Sequence, residues 1–215
     1  MKSVLLIGLG RFGQHIARKL HELNIEVMAV DDNEARVQAA LPYVTRAQIG
    51  NSTDELFLQS LGVRNYDACI VAIGESFQDS MVTVSMIKEL GAKKVVARAS
   101  RDVQQKLLLR NGADEVVYPE KQLATWTAIR CASAHVLDYF ELDDTLSMME
   151  LAVPDAWNGK TVGGLDIRRK YGISILGIRE NGTIRMNISP ETTLYRGQSV
   201  LVLGEPKFIN RVTRL

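Results

Sequence analysis

Short apolar runs recur along the first half of the chain, each bounded by polar or turn-forming residues. Val4–Ile7, Ile25–Val30, Ala68–Ile73, Val95–Ala97 and Glu115–Tyr118 are rich in Val, Ile and Ala and predict buried parallel strands, with Val44–Ile49 a weaker member of the series. Segments with helical spacing lie between them. Phe12, Ile16 and Leu20 share one face, with Arg18, Lys19 and Glu22 on another. Leu56, Leu58 and Leu61 mark a shorter piece, and Met81, Val84, Ile87 and Leu90 form a stripe ended by Gly91, a C-cap residue. Repeated strand–helix–strand units predict a parallel sheet with right-handed crossovers and helices on both faces. The fold class is therefore α/β, a doubly wound parallel sheet of the Rossmann type.

The rhythm changes further on. From Glu120 to about Asp138 the chain carries neither Gly nor Pro and predicts one longer crossover helix. After Asp143-Asp144, strand-like runs at Ser147–Val153, Ile173–Ile178, Thr183–Ile188 and Ser199–Leu203 are separated by turns at Asn158-Gly159, Asn181-Gly182 and Arg196-Gly197. Helical pieces are predicted over Gly164–Tyr171 and from Pro206 onward. The expected organisation is a nucleotide-binding lobe over 1–138 and a small α+β lobe over 143–215. A lobe that small has a limited core and relies on oligomerisation.

Gly8-Leu9-Gly10-Arg11-Phe12-Gly13 joins the first strand to the first helix and spells GxGxxG. Gly8 permits the tight turn, Gly10 lets the backbone approach a pyrophosphate, and Gly13 lets the helix pack closely on the strand. The helix N-terminus then offers free N–H groups and the positive end of its dipole to phosphates. Asp31 closes the second strand about 20 residues on, where a carboxylate accepts hydrogen bonds from ribose hydroxyls. This order predicts an adenine-nucleotide site. A carboxylate at Asp31, joined by Asp32, repels a 2′-phosphate and disfavours NADP. It does not separate NAD from ATP, ADP or AMP. Arg11 is either a phosphate contact, in its own or a neighbouring subunit's site, or a solvated surface arginine. Arg98 ends the fifth strand at the ligand-binding edge of the sheet, as a second phosphate contact or as the partner of a nearby acid.

Composition narrows the remaining classes. In 215 residues, 26 bases balance 25 acids, which gives no electrostatic footprint for nucleic acid or a membrane surface. Cys69 and Cys131 have no metal or redox spacing, and Cys69 reads as a buried small hydrophobe. The first apolar run is too short for a signal peptide, and no stretch approaches the roughly 18–20 apolar residues of a membrane span. A dehydrogenase needs a proton donor and a substrate domain. His15 and His21 read as surface residues facing away from the nicotinamide position, and His135 falls on the long helix without an acid partner. No Tyr-xxx-Lys pair, nucleophile elbow or metal cluster is present, so a non-enzyme is expected.

Further motifs carry a family resemblance: Ala29-Val30-Asp31, Gly50-Asn51-Ser52-Thr53, Val71-Ala72-Ile73-Gly74, and Gly112-Ala113-Asp114 followed by Tyr118-Pro119-Glu120-Lys121. Leu165-Asp166-Ile167-Arg168-Arg169-Lys170-Tyr171-Gly172 and Arg196-Gly197-Gln198-Ser199-Val200-Leu201-Val202-Leu203-Gly204 extend it into the second lobe. Nearly end to end, the chain resembles the cytosolic regulatory subunits of bacterial Ktr/Trk-type potassium uptake systems, built from an RCK domain. The resemblance implies an octameric ring of dimers that binds ATP or ADP in the cytoplasm. The ring docks peripherally, at the inner face of the cell membrane, on a membrane-embedded potassium-translocating subunit of the KtrB/TrkH kind. Gly8, Gly10, Phe12, Gly13, Asp32, Ala72 and Gly74 would belong to the nucleotide site. Asp31 would hold the ribose, Asn51 and Thr53 would line the adenosine pocket, and Arg98 would approach phosphate. Arg11 would contact the terminal phosphate of ATP in the adjoining subunit, and Glu120 would meet magnesium or calcium. Some members also bind cyclic di-AMP between C-terminal lobes, where Asp166, Arg168, Tyr171 and Pro190 match. Asp32 and Tyr118 depart from the family, which carries an apolar residue and a histidine there.

The implied mechanism is a population shift: only groups touching the γ-phosphate give ATP and ADP differential affinity. Rival readings are an NAD(H)-binding redox sensor, a regulator of another cation transporter, and a DNA-binding redox repressor. The last would need a basic winged-helix segment that the sequence lacks.

Overall fold

The computed structural model describes residues 3–133, 135–143 and 145–212. The chain forms two compact units, Met1–Lys121 and Gln122–Leu215. The first alternates strand and helix: β1 (Ser3–Ile7), α1 (Arg11–Glu22), β2 (Glu26–Asp31), α2 (Glu34–Ala40), β3 (Arg46–Ile49), α3 (Glu55–Ser60), β4 (Ala68–Val71), α4 (Phe77–Glu89), β5 (Val95–Arg98), α5 (Asp102–Arg110) and β6 (Glu115–Val117). Helix α6 (Pro119–Ala132) begins at its end. All six strands run parallel in the order β3-β2-β1-β4-β5-β6. The order reverses between β1 and β4, and that switch opens a crevice beyond their carboxyl ends.

The central strands β1, β2, β4 and β5 are largely apolar on both faces because both are covered, whereas the edge strand β3 is mostly exposed. Leu5 and Ile7 pack on one side with Val30, Val71, Val95 and the helix residues Leu58, Val84, Ile87 and Leu108. Leu6 points the other way, with Val27, Ala29, Ala17 and Val37. Each such Leu, Ile or Val contributes about 1.5–3 kcal/mol through burial. Phe12, Ile16 and Leu20 pack against the second group as their spacing predicts. Leu56 does not follow the expectation. It is 76% exposed, and Phe57 joins Leu58 and Leu61 in the core instead. Cys69 is fully buried, and burial pushes its thiol up to about 12.

The long helix expected to reach Asp138 stops at Ala132. Val136–Glu141 forms strand β7, and His135 lies in the turn before it, its carbonyl accepting from Ala152 N at 2.9 Å. Val-Leu-Asp-Tyr-Phe-Glu is strand-favouring, and pairing with a neighbouring strand outweighs the absence of helix breakers. Of the expected Asp143-Asp144 junction, Asp144 lies outside the described residues.

In the second unit, β8 (Ser147–Ala152), α7 (Val162–Leu165), α8 (Ile167–Tyr171), β9 (Ser174–Glu180), β10 (Thr183–Arg185), β11 (Ser199–Gly204) and α9 (Pro206–Val212) follow β7. The strands form an antiparallel sheet ordered β10-β9-β11-β8-β7. Asn181 and Gly182 both adopt positive φ, 49° and 80°, as a tight hairpin requires. The single helix expected over Gly164–Tyr171 is broken in two by Asp166 at φ 47°, one of the few side chains that tolerates that region. Met149, Leu151, Trp157, Ile178, Val200 and Ile209 build the core.

At Gly13 a Cβ would collide with the Gly8 carbonyl oxygen, so helix and loop approach more closely than any other residue permits. Gly13→Ala is expected to cost about 1–3 kcal/mol through overpacking. Chemical denaturation followed by circular dichroism reads this directly, and an unchanged midpoint would contradict it.

Candidate functional site

The crevice has a volume of about 690 Å³, within the range of small-molecule sites. Its walls are the loop from Gly8 to Phe12, the end of β2, the Gly50–Ser52 turn, the segment after β4, Arg98 on β5 and the first turn of α6.

The entry to α1 shapes one wall. Gly8 adopts φ +94°, which turns the chain off β1, and its N–H donates to Val30 O at 2.8 Å. Gly10 is the N-cap but offers no side-chain bond to the exposed amides of the first turn. Its φ of −63° suits any residue, yet a Cβ there would meet nothing within 4 Å. Glycine at this position is therefore not required by packing; it keeps the crevice open. Helices α2, α3 and α4 are capped by Asn33, Asp54 and Ser76, and α2 to α6 each carry an acid in the first turn. Helix α1 has no acid there and begins with Arg11. A cation beside the positive end of a helix dipole is unfavourable by about 0.3–1 kcal/mol, unless an anion sits between them.

Asp31 is 6% exposed and already ties the walls together. Its Oδ2 accepts from Leu9 N at 2.6 Å and its Oδ1 from Asn33 N at 2.9 Å, with Arg36 Nη1 at 3.9 Å. Each oxygen keeps acceptor capacity for a further donor such as a ribose hydroxyl. Asp32 is exposed at the rim. Arg36 also pairs with Glu75 of the segment after β4, and Gln14 Nε2 holds the Arg36 carbonyl at 2.9 Å. This bridge neutralises the arginine nearest Asp31.

At the other end, Arg98 pairs with Glu120, and its guanidinium carbon lies 5.5 Å from the Phe12 ring centroid. A Cβ at Gly74 would collide with Arg98 Nη1, so Gly74 makes room for that head group. Glu120 sits in the first turn of α6. Its own backbone N–H holds the carboxyl below the usual range, burial opposes this, and Arg98 and the charge of Arg11 lower it further. Arg11 is exposed and has no ion-pair partner among the described residues.

The structure thus brings Gly8, Gly10, Arg11, Phe12, Asp31, Asp32, Asn51, Ala72, Gly74, Arg98 and Glu120 to one crevice. Thr53 and Gly13 do not line it. Thr53 donates its hydroxyl and N–H to Asn51 Oδ1, at 2.8 and 2.9 Å, and so orients Asn51 instead. Sequence reasoning missed Arg36 and Glu75, and it turned His15 away from the site. His15 lines the crevice. It lies one helical turn beyond Arg11 on the same stripe, a spacing that was available to place it. In the second unit, Asp166, Arg168 and Pro190 are exposed, while the Tyr171 ring lies 6.0 Å from that of Trp157. Pro190 O accepts from Gly163 N at 2.8 Å.

Residues 4–119 match the TrkA-N domain and residues 147–215 the TrkA-C domain. Ktr system potassium uptake protein C of Bacillus subtilis is 39% identical over 98% of this chain and 95% of its own length. Ktr system potassium uptake protein A of the same organism is 38% identical over the same shares. Among solved structures, the GsuK channel bound to NAD superposes with a TM-score of 0.72 at 23% identity, over 99% of this chain and 39% of that chain. GsuK bound to ADP matches 60% of this chain and 34% of that chain, at 24% identity and a TM-score of 0.52. The chain therefore spans well under half of the channel polypeptide whose fold it shares. No helix among the described residues is long and apolar enough to cross a membrane.

Gly10→Ala is expected to leave thermal stability unchanged while weakening ADP binding roughly tenfold, about 1.4 kcal/mol, because the added methyl enters the crevice. Calorimetric titration checks it. Unaltered ADP affinity would show that no ligand approaches this backbone.

Proposed function

This chain belongs to the TrkA-N/TrkA-C family of RCK regulatory subunits of Ktr-type potassium uptake systems, and on that premise we propose that its crevice senses ATP against ADP. The observation that carries the reading is the uncapped start of α1, where free amides and Arg11 converge on open space. Arg36 and Arg98 are each paired with an acid, Glu75 and Glu120, whereas Arg11 has no ion-pair partner among the described residues. A polyphosphate supplies the missing negative charge, and Asp31 receives the ribose. ATP and ADP share nearly every contact, so a group that meets only the γ-phosphate sets the preference. Arg11, exposed at the crevice edge, takes that part in the nucleotide of an adjoining subunit. One phosphate then becomes a change in the geometry of a ring of subunits. A membrane-embedded potassium-translocating partner reads that change at its gate. The chain acts as a cytoplasmic, non-catalytic regulator.

Glu120 fits a hard divalent cation, magnesium or calcium, held between a carboxylate and phosphate oxygens. No group of three or more His, Cys, Asp or Glu converges among the described residues, so the nucleotide supplies the remaining ligands. In the second lobe, exposed Arg168 and the neighbouring Asp166, Tyr171 and Pro190 suit the phosphates and bases of cyclic di-AMP between two copies. A second reading is an NAD(H)-responsive regulator, favoured by the structural neighbour bound to NAD.

Titration with ATP, ADP, NAD and NADH, with and without magnesium, separates these readings. Tight ATP and ADP binding is expected, and tight NADH binding with no ATP response would overturn the choice. Arg11→Ala should bring the ATP and ADP affinities together; a mutant that keeps the wild-type preference removes Arg11 from the mechanism. Glu120→Gln should abolish whatever affinity magnesium adds for ATP, read in the same titrations.

A further inference from the structure

Beside Arg98 lies a small void of about 10 Å³ whose polar lining is Ser80, Arg98, Ser100 and Gln104. Two buried polar atoms of its walls, Ser80 Oγ and Arg98 Nε, have no hydrogen-bond partner among the described residues. Ser80 is 1% exposed, on the first turn of α4. Leaving a buried hydroxyl and a guanidinium N–H unpaired is unfavourable, and a void of about 10–15 Å³ is the size of a single water.

We propose that one buried water bridges Arg98 Nε–H and Ser80 Oγ, and that Ser80 is the positioning residue for Arg98. The water accepts from Nε and exchanges a hydrogen bond with Ser80, and the polar side chains of Ser100 and Gln104 line the same void. Arg98 Nε has no hydrogen-bond partner among the described residues. The rest of the head group is set by Glu120 on Nη2, by the Phe12 face at 5.5 Å and by the clearance over Gly74. Phosphate competes with Glu120 for the same head group. With the water in place, the head keeps its aim when Glu120 turns to a cation. The consequence for ligand binding rests on the nucleotide reading above, but the water itself does not.

Two experiments test it. A crystal structure at a resolution that orders solvent should show a water within hydrogen-bonding distance of both atoms; a dry void overturns the proposal whatever the crevice binds. In calorimetric titrations, Ser80→Ala should weaken ADP three- to tenfold, leave adenosine within twofold, and add nothing when Arg98→Ala is already present. An equal loss for adenosine, an additive loss in the Arg98→Ala background, or no loss for ADP overturns it. Wild-type protein that binds no ADP refutes the nucleotide reading instead, and the occupancy of the void then decides this inference alone.

Discussion

The first turn of α1 leaves its backbone N–H groups without a side-chain cap and sets a guanidinium beside them. The other helices of the first unit each carry an acid in the first turn, and α2, α3 and α4 have a side-chain cap as well, whereas α5 is entered from Arg101 without one. Unsatisfied donors and a cation at the positive end of a dipole are jointly unfavourable, so this arrangement persists because the rest of the unit enforces it. Gly8 turns the chain, Gly13 lets the helix seat against that turn, and Asp31 pins Leu9 from the adjacent strand. The two-sided hydrophobic core makes those positions rigid. What results is a preformed demand for negative charge.

The same logic extends around the crevice. Two of its arginines are paired with carboxylates borrowed from opposite walls, Arg36 with Glu75 and Arg98 with Glu120. Pairs of this kind are partly exposed, so their own contribution to stability is small. On the proposed nucleotide reading, an arriving phosphate would exchange one set of ionic partners for another and so couple ligand binding to the segment after β4 and the first turn of α6.

How much of this was legible in the sequence depends on the range of the interactions. The strand–loop–helix–strand–acid order is local, and Gly8, Gly10, Arg11 and Asp31, read from it, fall on one crevice. Arg98 is legible from its position at the sheet edge and Gly74 only from the family resemblance, and their mutual clearance appears only in three dimensions. Arg36 and Glu75 escaped notice because they lie far apart in sequence and meet only across the switch point. The missed strand β7 has a different cause: a segment free of Gly and Pro was read as a helix, while its aromatic and branched residues favoured a strand. The break at Asp166 was hidden for a related reason, since a single left-handed residue leaves the apolar spacing on either side intact.

In the proposed reading, amides at the start of α1 and the carboxylate of Asp31 together hold an adenine nucleotide. A crystal structure determined in millimolar ATP and magnesium should then show polyphosphate density against the Arg11–Gly13 amides, ribose hydroxyls on Asp31, and Glu120 released from Arg98. A crevice without nucleotide density, with the Arg98–Glu120 pair intact, would contradict it.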